Sequence, residues 1–215
     1  MKKNVIYVCI ILTLFISCGP KIIQEPIVFN EEREDLTLEY MKEHYGLIQD
    51  EPTIVPKMVV VHWTEIPTLQ KTIDAFYKEH LPSFRTGIAG GGSLNVSSQF
   101  VIDQDGTIYN LMPETTMARH VIGLNYCSIG IENVGGSDLP LTKAQLKANI
   151  KLIKYLKKKY PIEYVIGHYE YQLFEDTDLW LEKDDGYRTV KTDPNEEFMI
   201  AIRKEIKDLK AIPKK

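Results

Sequence analysis

The chain has 215 residues, 44% hydrophobic and 26% charged, with a formal net charge of −4. That length suits one domain with a substantial core and leaves little room for a second. The acidic balance offers no broad attraction to nucleic acid, so no nucleic-acid partner is expected, and a monomer is the simplest expectation.

The N-terminus departs from this average. Lys2 and Lys3 precede an apolar run over residues 5–16, shorter than the roughly 20 residues a membrane span needs, so residues 1–18 read as a signal peptide. Phe15-Ile16-Ser17-Cys18 closes the run. A cysteine directly after a small residue is similar to the lipobox at which bacterial lipoproteins are cleaved and acylated, with Phe15 where leucine is usual. The expectation is an exported chain held to a membrane by a lipid on Cys18, facing the periplasm of a bacterial envelope. Cys9 and Cys18 fall in this segment, which leaves Cys127 alone in the mature domain and excludes an internal disulfide framework. Its apolar setting, Tyr126-Cys127-Ser128-Ile129, suits a small buried hydrophobe better than a nucleophile.

Residues 19–55 are rich in Glu and Pro and read as a tether, followed by a helix near residues 35–44 carrying Leu36, Leu38, Met41 and Tyr45. The compact domain is expected over residues 56–212. It opens on Met58-Val59-Val60-Val61-His62, a β-branched run that predicts a strand buried on both faces, with His62 at its C-terminal end. Pro67 and Thr68 introduce a helix through about His80, with Leu69, Ile73, Phe76 and Tyr77 at helical spacing. The glycine-rich stretch 87–93 lacks the Gly-Lys-Ser/Thr of a phosphate cradle and reads as a mobile rim. Phe100-Val101-Ile102 and Thr107-Ile108-Tyr109 flank Asp105-Gly106 and predict a hairpin. A strand follows over residues 128–134. Thr142-x-x-Gln145 then caps a long helix to Tyr160, whose Lys157-Lys158-Lys159 end suits the negative pole of the helix dipole. Tyr164-Val165-Ile166 forms a short strand ending at Gly167-His168, and Asn195 caps a last helix bearing Phe198, Ile202, Ile206 and Leu209. Strands between helices give an α/β fold, a single domain with a central mixed β-sheet flanked by helices.

Taken alone, His62 at a strand end is more often a hydrogen-bonded structural histidine than a ligand. His168 in the same position on a second strand changes the balance, because two imidazoles on one sheet edge supply half of a tetrahedral zinc site. Asp193, in Lys191-Thr192-Asp193-Pro194, sits just before the last helix, where a carboxylate completes a site with one position left open. Such a site suits a hydrolase, since zinc polarises a carbonyl and lowers the pKa of water to about 7. Glu132, on the strand Ser128-Ile129-Gly130-Ile131-Glu132, is placed to act as the base. Lys191 is placed to stabilise an oxyanion, although a surface lysine screening Asp193 is the plainer reading of that residue by itself.

Several ordered motifs then coincide: Val61-His62-Trp63-Thr64, Val96-Ser97-Ser98-Gln99-Phe100-Val101-Ile102-Asp103, Ala118-Arg119-His120, Asn125, Ser128-Ile129-Gly130-Ile131-Glu132, Gly167-His168 and Lys191-Thr192-Asp193-Pro194. Over about residues 58–203 the chain resembles the type 2 N-acetylmuramoyl-L-alanine amidases, whose superfamily also contains the animal peptidoglycan recognition proteins. The resemblance implies zinc held by His62, His168 and Asp193, Glu132 as the acidic base and Lys191 beside the oxyanion. It further implies that Arg119, His120 and Asn125 line the cleft and contact a peptidoglycan or muropeptide substrate. Gln99 stands where the family often has an imidazole or aromatic residue. An insertion over residues 169–190 separates the second histidine from the Lys-x-Asp. Its Tyr171, Phe174, Trp180 and Tyr187 either wall the cleft against sugar and peptide or pack the loop down.

The implied reaction is hydrolysis of the amide between N-acetylmuramic acid and L-alanine. The rival from another class is a non-catalytic peptidoglycan-recognition module. A zinc peptidase of the His-Glu-x-x-His type and a Gly-x-Ser-x-Gly serine hydrolase lack their motifs here.

Overall fold

A computed structural model describes residues 19–214, so the expected signal peptide and Cys18 lie outside the described residues. Six strands, β1 (Ile22–Gln24), β2 (Met58–Trp63), β3 (Phe100–Ile102), β4 (Ile108–Asn110), β5 (Ser128–Asn133) and β6 (Tyr164–Gly167), form one sheet in the order β1-β4-β3-β5-β2-β6. Only β3 and β4 pair antiparallel, as the hairpin across Asp105-Gly106; the other pairings are parallel. The helices are α1 (Glu31–Tyr40), α2 (Leu69–Tyr77), α3 (Lys143–Lys159) and α4 (Glu196–Glu205). The chain is therefore a single α/β domain with a central mixed sheet flanked by helices.

The two faces of the sheet carry different layers, and strand parity decides which residue meets which. Val59 and Val61 on β2, Ile129 and Ile131 on β5, and Phe100 and Ile102 on β3 pack against α3 and α4 through Leu152, Ile153, Met199 and Ile202. Met58, Val60 and Ile166 point to the other face, against Tyr171 and Phe174. On that same face Val101 meets Ile73 and Phe76 of α2. Met58, Val59, Val60 and Val61 have no exposed surface, which is the double-sided burial that the β-branched run predicts.

Specific residues set these helix ends. Thr142 and Gln145 form the reciprocal capping box of α3, and the Asn195 side chain accepts from Phe198 N at the start of α4. Helix α2 stops at Tyr77, short of the expected His80, because Lys78 turns extended. The carbonyls left without partners there are taken by buried Arg33, whose Nη2 donates to Phe76 O at 2.8 Å, to Tyr77 O at 3.3 Å and to Lys78 O. Burial lowers the Arg33 pKa to about 10, with Glu79 opposing the shift. Helix α4 ends at Glu205, and Asp208 at φ 57° breaks any continuation, so Leu209 reaches the core from outside the helix.

Residues 22–24, read from sequence as part of a tether, form the edge strand β1. Their run is too short for periodicity to register. After α1 the chain widens into π-type turns over Met41–Tyr45 and ends at Gly46 in the left-handed region. The 169–190 insertion mostly packs down. Tyr171 and Phe174 are buried, the Tyr171 hydroxyl donates to Thr189 O at 2.7 Å, and Trp180 stacks on Tyr171. Its far end is clasped to the π turns by the buried His44–Glu182 pair at 2.8 Å. Among the described residues no helix is long and apolar enough to cross a membrane.

Candidate metal centre and cleft

Strand register builds the site. In the parallel pair β2–β5, His62 lies directly opposite Glu132, so the two side chains leave the same face of the sheet from adjacent strands. His168 follows the last residue of β6, which pairs with Val61. Asp193 comes in on the segment before α4, where its carbonyl accepts from Tyr169 N at 3.0 Å. The sheet edge is pinned from the α3 side: Asn149 Nδ2 donates to Asn133 Oδ1 at 2.7 Å, and Asn133 Nδ2 donates to the His62 carbonyl at 2.9 Å.

His62, His168 and Asp193 converge, all three buried. His62 Nδ1 is 2.9 Å from His168 Nδ1 and 3.2 Å from Asp193 Oδ2, and the latter two atoms are 3.1 Å apart. Zinc–nitrogen and zinc–oxygen bonds imply ligand separations of about 3.3 Å around a tetrahedral ion, so this triangle has the dimensions of one face of such a site.

Protonation states support that fit. The Ser128 hydroxyl donates to Leu124 O at 2.8 Å and is free to accept from His120 Nε2 at 3.4 Å. His120 Nδ1 then accepts from His62 Nε2 at 3.0 Å, which leaves the His62 Nδ1 lone pair aimed at His168 and Asp193. The His168 Nδ1 faces the same carboxylate oxygen, and its Nε2 has no hydrogen-bond partner, so an imidazole lone pair, a second imidazole nitrogen and a carboxylate oxygen converge as a cation would require. Burial, reinforced by His62 and His168, holds His120 well below the ordinary histidine range and hence neutral. Burial likewise lowers His168 to about 4, outweighing the opposing pull of Asp193. Asp193 is shifted the other way: burial alone would raise it, but His168 and His62 keep it far below the usual carboxylate range.

The donor triangle opens into a cleft of about 450 Å³ lined by Glu132, Lys191, Arg85, Arg119, His120 and Tyr187, among others. Burial pushes the Glu132 carboxyl up to about 7; His62, Lys191 and Arg85 pull it down while Asp193 adds to the rise. Its Oε2 has no hydrogen-bond partner.

Of the residues expected to touch substrate, all three are tied into the protein. Asn125 is fully buried; its Oδ1 accepts from His120 N and Val121 N at 2.9 and 2.7 Å, and its Nδ2 donates to the Tyr45 hydroxyl at 2.8 Å. Arg119 donates to Gly92 O, Leu94 O and Ile88 O and to the Tyr187 hydroxyl, so it braces the glycine-rich rim, where residues 86–91 coil into a 3₁₀ turn. His120 stands behind His62. Gly130 makes this possible, since a Cβ there would lie 2.9 Å from the His120 ring. Gln99, at the family's imidazole or aromatic position, accepts from Gly130 N at 2.7 Å and so supports the strand beneath His120. Of the four insertion aromatics, Tyr187 lines the cleft.

Arg85 escaped the sequence reading. It stands in the cleft with Nη1 buried and unpartnered, and burial lowers its pKa while Glu132 opposes that shift. Its sequence neighbours Phe84 and Thr86 carry no chemical signature, so only the fold could bring it to Glu132. Cys127 is buried, and burial raises its thiol to about 12.

The profile of the family described as N-acetylmuramoyl-L-alanine amidase matches residues 51–196. An endolysin of Klebsiella phage KP32 is 32% identical over 85 residues, 37% of this chain and 56% of the endolysin, so the match spans little more than half of that relative. Among solved structures, the N-acetylmuramoyl-L-alanine amidase LysC from Clostridium intestinale URNW shares the fold at a TM-score of 0.52 and 21% identity, covering 86% of this chain and 99% of LysC. The endolysine amidase LysCS from the same organism does so at 0.51 and 21%, covering 86% and 97%. With its profile matched over more than half of the sequence, the chain belongs to the N-acetylmuramoyl-L-alanine amidase family.

Proposed function

We propose that this chain is a zinc-dependent amidase that hydrolyses the bond between N-acetylmuramic acid and L-alanine in peptidoglycan or its muropeptide fragments. The observation that carries the reading is the donor triangle of His62, His168 and Asp193 beside the unpartnered carboxyl of Glu132, all in one cleft. A zinc ion held by the triangle would supply Lewis acidity to the scissile carbonyl and to the attacking water. Glu132, raised to about 7 by burial, is suited to accept a proton from that water near neutral pH and to return it to the departing amine of L-alanine. Lys191, on the cleft wall, faces the charge that develops on the carbonyl oxygen. Arg119, His120 and Asn125 act in this reading by holding the rim, His62 and the loop between them, and Arg85 offers a free guanidinium nitrogen to an anionic part of the substrate.

The same reading places the chain outside the cytoplasm, exported by residues 1–18 and acylated at Cys18, where murein is available.

Digestion of defined muropeptides tests the function. Metal-replete protein should release stem peptides with a free L-alanine amino terminus, and chelation should stop the reaction. Glu132→Gln should lose about 10²–10⁴-fold in turnover while retaining its metal. Tight binding of muropeptide without cleavage by metal-replete protein would favour the recognition-module alternative, and stem-peptide products cut elsewhere would point to a peptidase.

A further inference from the structure

Helix α3 carries seven lysines and no acidic residue, in a chain whose overall charge is −4. Lys143, Lys147, Lys151, Lys154 and Lys158 follow one another at spacings of three and four, which aligns them in a single stripe, and all five are exposed. Like charges at these spacings weaken a helix, and solvated helix faces ordinarily mix both signs, so folding gives no reason for the pattern. Among the described residues only Lys154 of the stripe meets a carboxylate, Glu205 at 3.9 Å. The other two lysines are accounted for: Lys157 donates to Ile162 O and Asp208 O, and Lys159 pairs with Glu114.

Two further observations say what covers this face. A groove of about 970 Å³ along the stripe is also lined by Gly19, Pro20 and exposed Lys21. The described chain thus begins beside the lysines, and in sequence Gly19 directly follows Cys18 and the apolar run 5–16. The second observation is orientation. α3 covers the face of the sheet that receives Val59, Val61, Ile129 and Ile131, whereas His62 and Glu132, of opposite parity on the same strands, serve the cleft on the other face.

We propose that the lysine stripe of α3, with Lys21, docks on a bilayer surface of anionic phospholipid and seats the domain with its cleft turned away from the membrane. Each lysine near an anionic leaflet strengthens attachment roughly fivefold, over a range of about 8–10 Å set by salt screening. A basic face beside a lipid anchor adds electrostatic attraction to its hold and orients the domain on the surface.

Flotation of the full chain with vesicles tests the proposal, and because no hydrolysis is read, its outcome is independent of the amidase assignment. Vesicles of phosphatidylcholine alone are compared with an equimolar mixture of phosphatidylcholine and phosphatidylglycerol. On the anionic vesicles, the triple variant Lys147→Gln, Lys151→Gln, Lys158→Gln should lose about tenfold to a hundredfold in partitioning, and high salt should abolish the difference. On neutral vesicles the variant and the parent should match. A charge-matched control, Lys42→Gln, Lys71→Gln, Lys78→Gln, removes exposed lysines away from α3 and should change partitioning little. Equal losses in the two triples would reduce the effect to net charge and overturn the proposal, as would binding indifferent to phosphatidylglycerol. So would a loss seen on purified sacculi instead of vesicles, which would assign the stripe to a wall polymer. An unchanged melting temperature shows that the variant is folded.

Discussion

Gly123 is one of the points where the 169–190 insertion touches the segment that carries His120 and Asn125. It sits at φ 78°, and a Cβ there would come within 2.5 Å of Trp180 Cζ3 and 2.6 Å of Cε3. Its carbonyl also accepts from Leu181 N at 3.2 Å. Gly123→Ala therefore carries two separable costs: left-handed backbone strain of about 1–2 kcal/mol and overpacking against the indole of about 1–3 kcal/mol. Their sum, about 2–5 kcal/mol, corresponds to a fall in melting temperature of roughly 4–20 °C for a domain of this size. Thermal unfolding followed by circular dichroism measures the total, and a double-mutant cycle with Trp180→Ala separates the parts. Without the indole only the strain should remain, so the two changes should couple by about 1–3 kcal/mol. A Gly123→Ala variant within about 0.5 kcal/mol of the parent, or one equally costly in both backgrounds, would refute the idea that the insertion is seated on this glycine.

Asp193→Ala should remove zinc from the purified protein, measurable by elemental analysis, because two histidines alone make an incomplete site; full retention of metal would take Asp193 out of the ligand set. His120→Phe should weaken metal affinity about 10–100-fold by freeing the His62 tautomer, with little change in melting temperature, and competition with a chromogenic chelator reads that affinity. In a chain beginning at Gly19, Cys127 should resist thiol reagents near pH 8 and react once guanidinium unfolds the domain. Its folded pKa of about 12 lies above the unfolded value of about 8.5. The buried thiol therefore contributes stability that is complete below the unfolded pKa and is lost as pH climbs towards 12. Cys127→Ala should flatten that alkaline decline in denaturant midpoints.

The central strands were legible because their chemistry is local: an unbroken β-branched run before His62 and a short apolar run before His168 each announce a buried strand with a histidine at its end. Helix starts were legible for the same reason, Thr142 with Gln145 and Asn195 each closing their own turn. Helix α2 ended early because of a distant residue, Arg33, some forty positions upstream, and no window of sequence shows such a partner. Edge strand β1 is three residues long, too few to display a period. The polar residues of the cleft divide in the same manner. A motif can say that His120 and Asn125 belong near the site, but whether their nitrogens and oxygens face substrate or one another depends on Ser128, Leu124 and Tyr45, which only the folded chain brings into reach. Arg85 has no motif at all.

The pairing of His62 with Glu132 across β2 and β5 fixes the spacing between this imidazole and this carboxyl by the hydrogen-bond ladder of the sheet itself. Slipping that ladder by one residue would send Glu132 to the α3 side, so the chemistry tolerates almost no drift in these two strands. The cleft walls are less constrained: apart from Tyr171 and Phe174, which pack on the central strands, the glycine-rich rim and the 169–190 insertion are connections whose length and side chains can change without moving a strand. A lineage built on this plan can thus change what its cleft admits while keeping the arrangement of imidazoles and carboxylates unaltered, and variation among its members should concentrate in those connections.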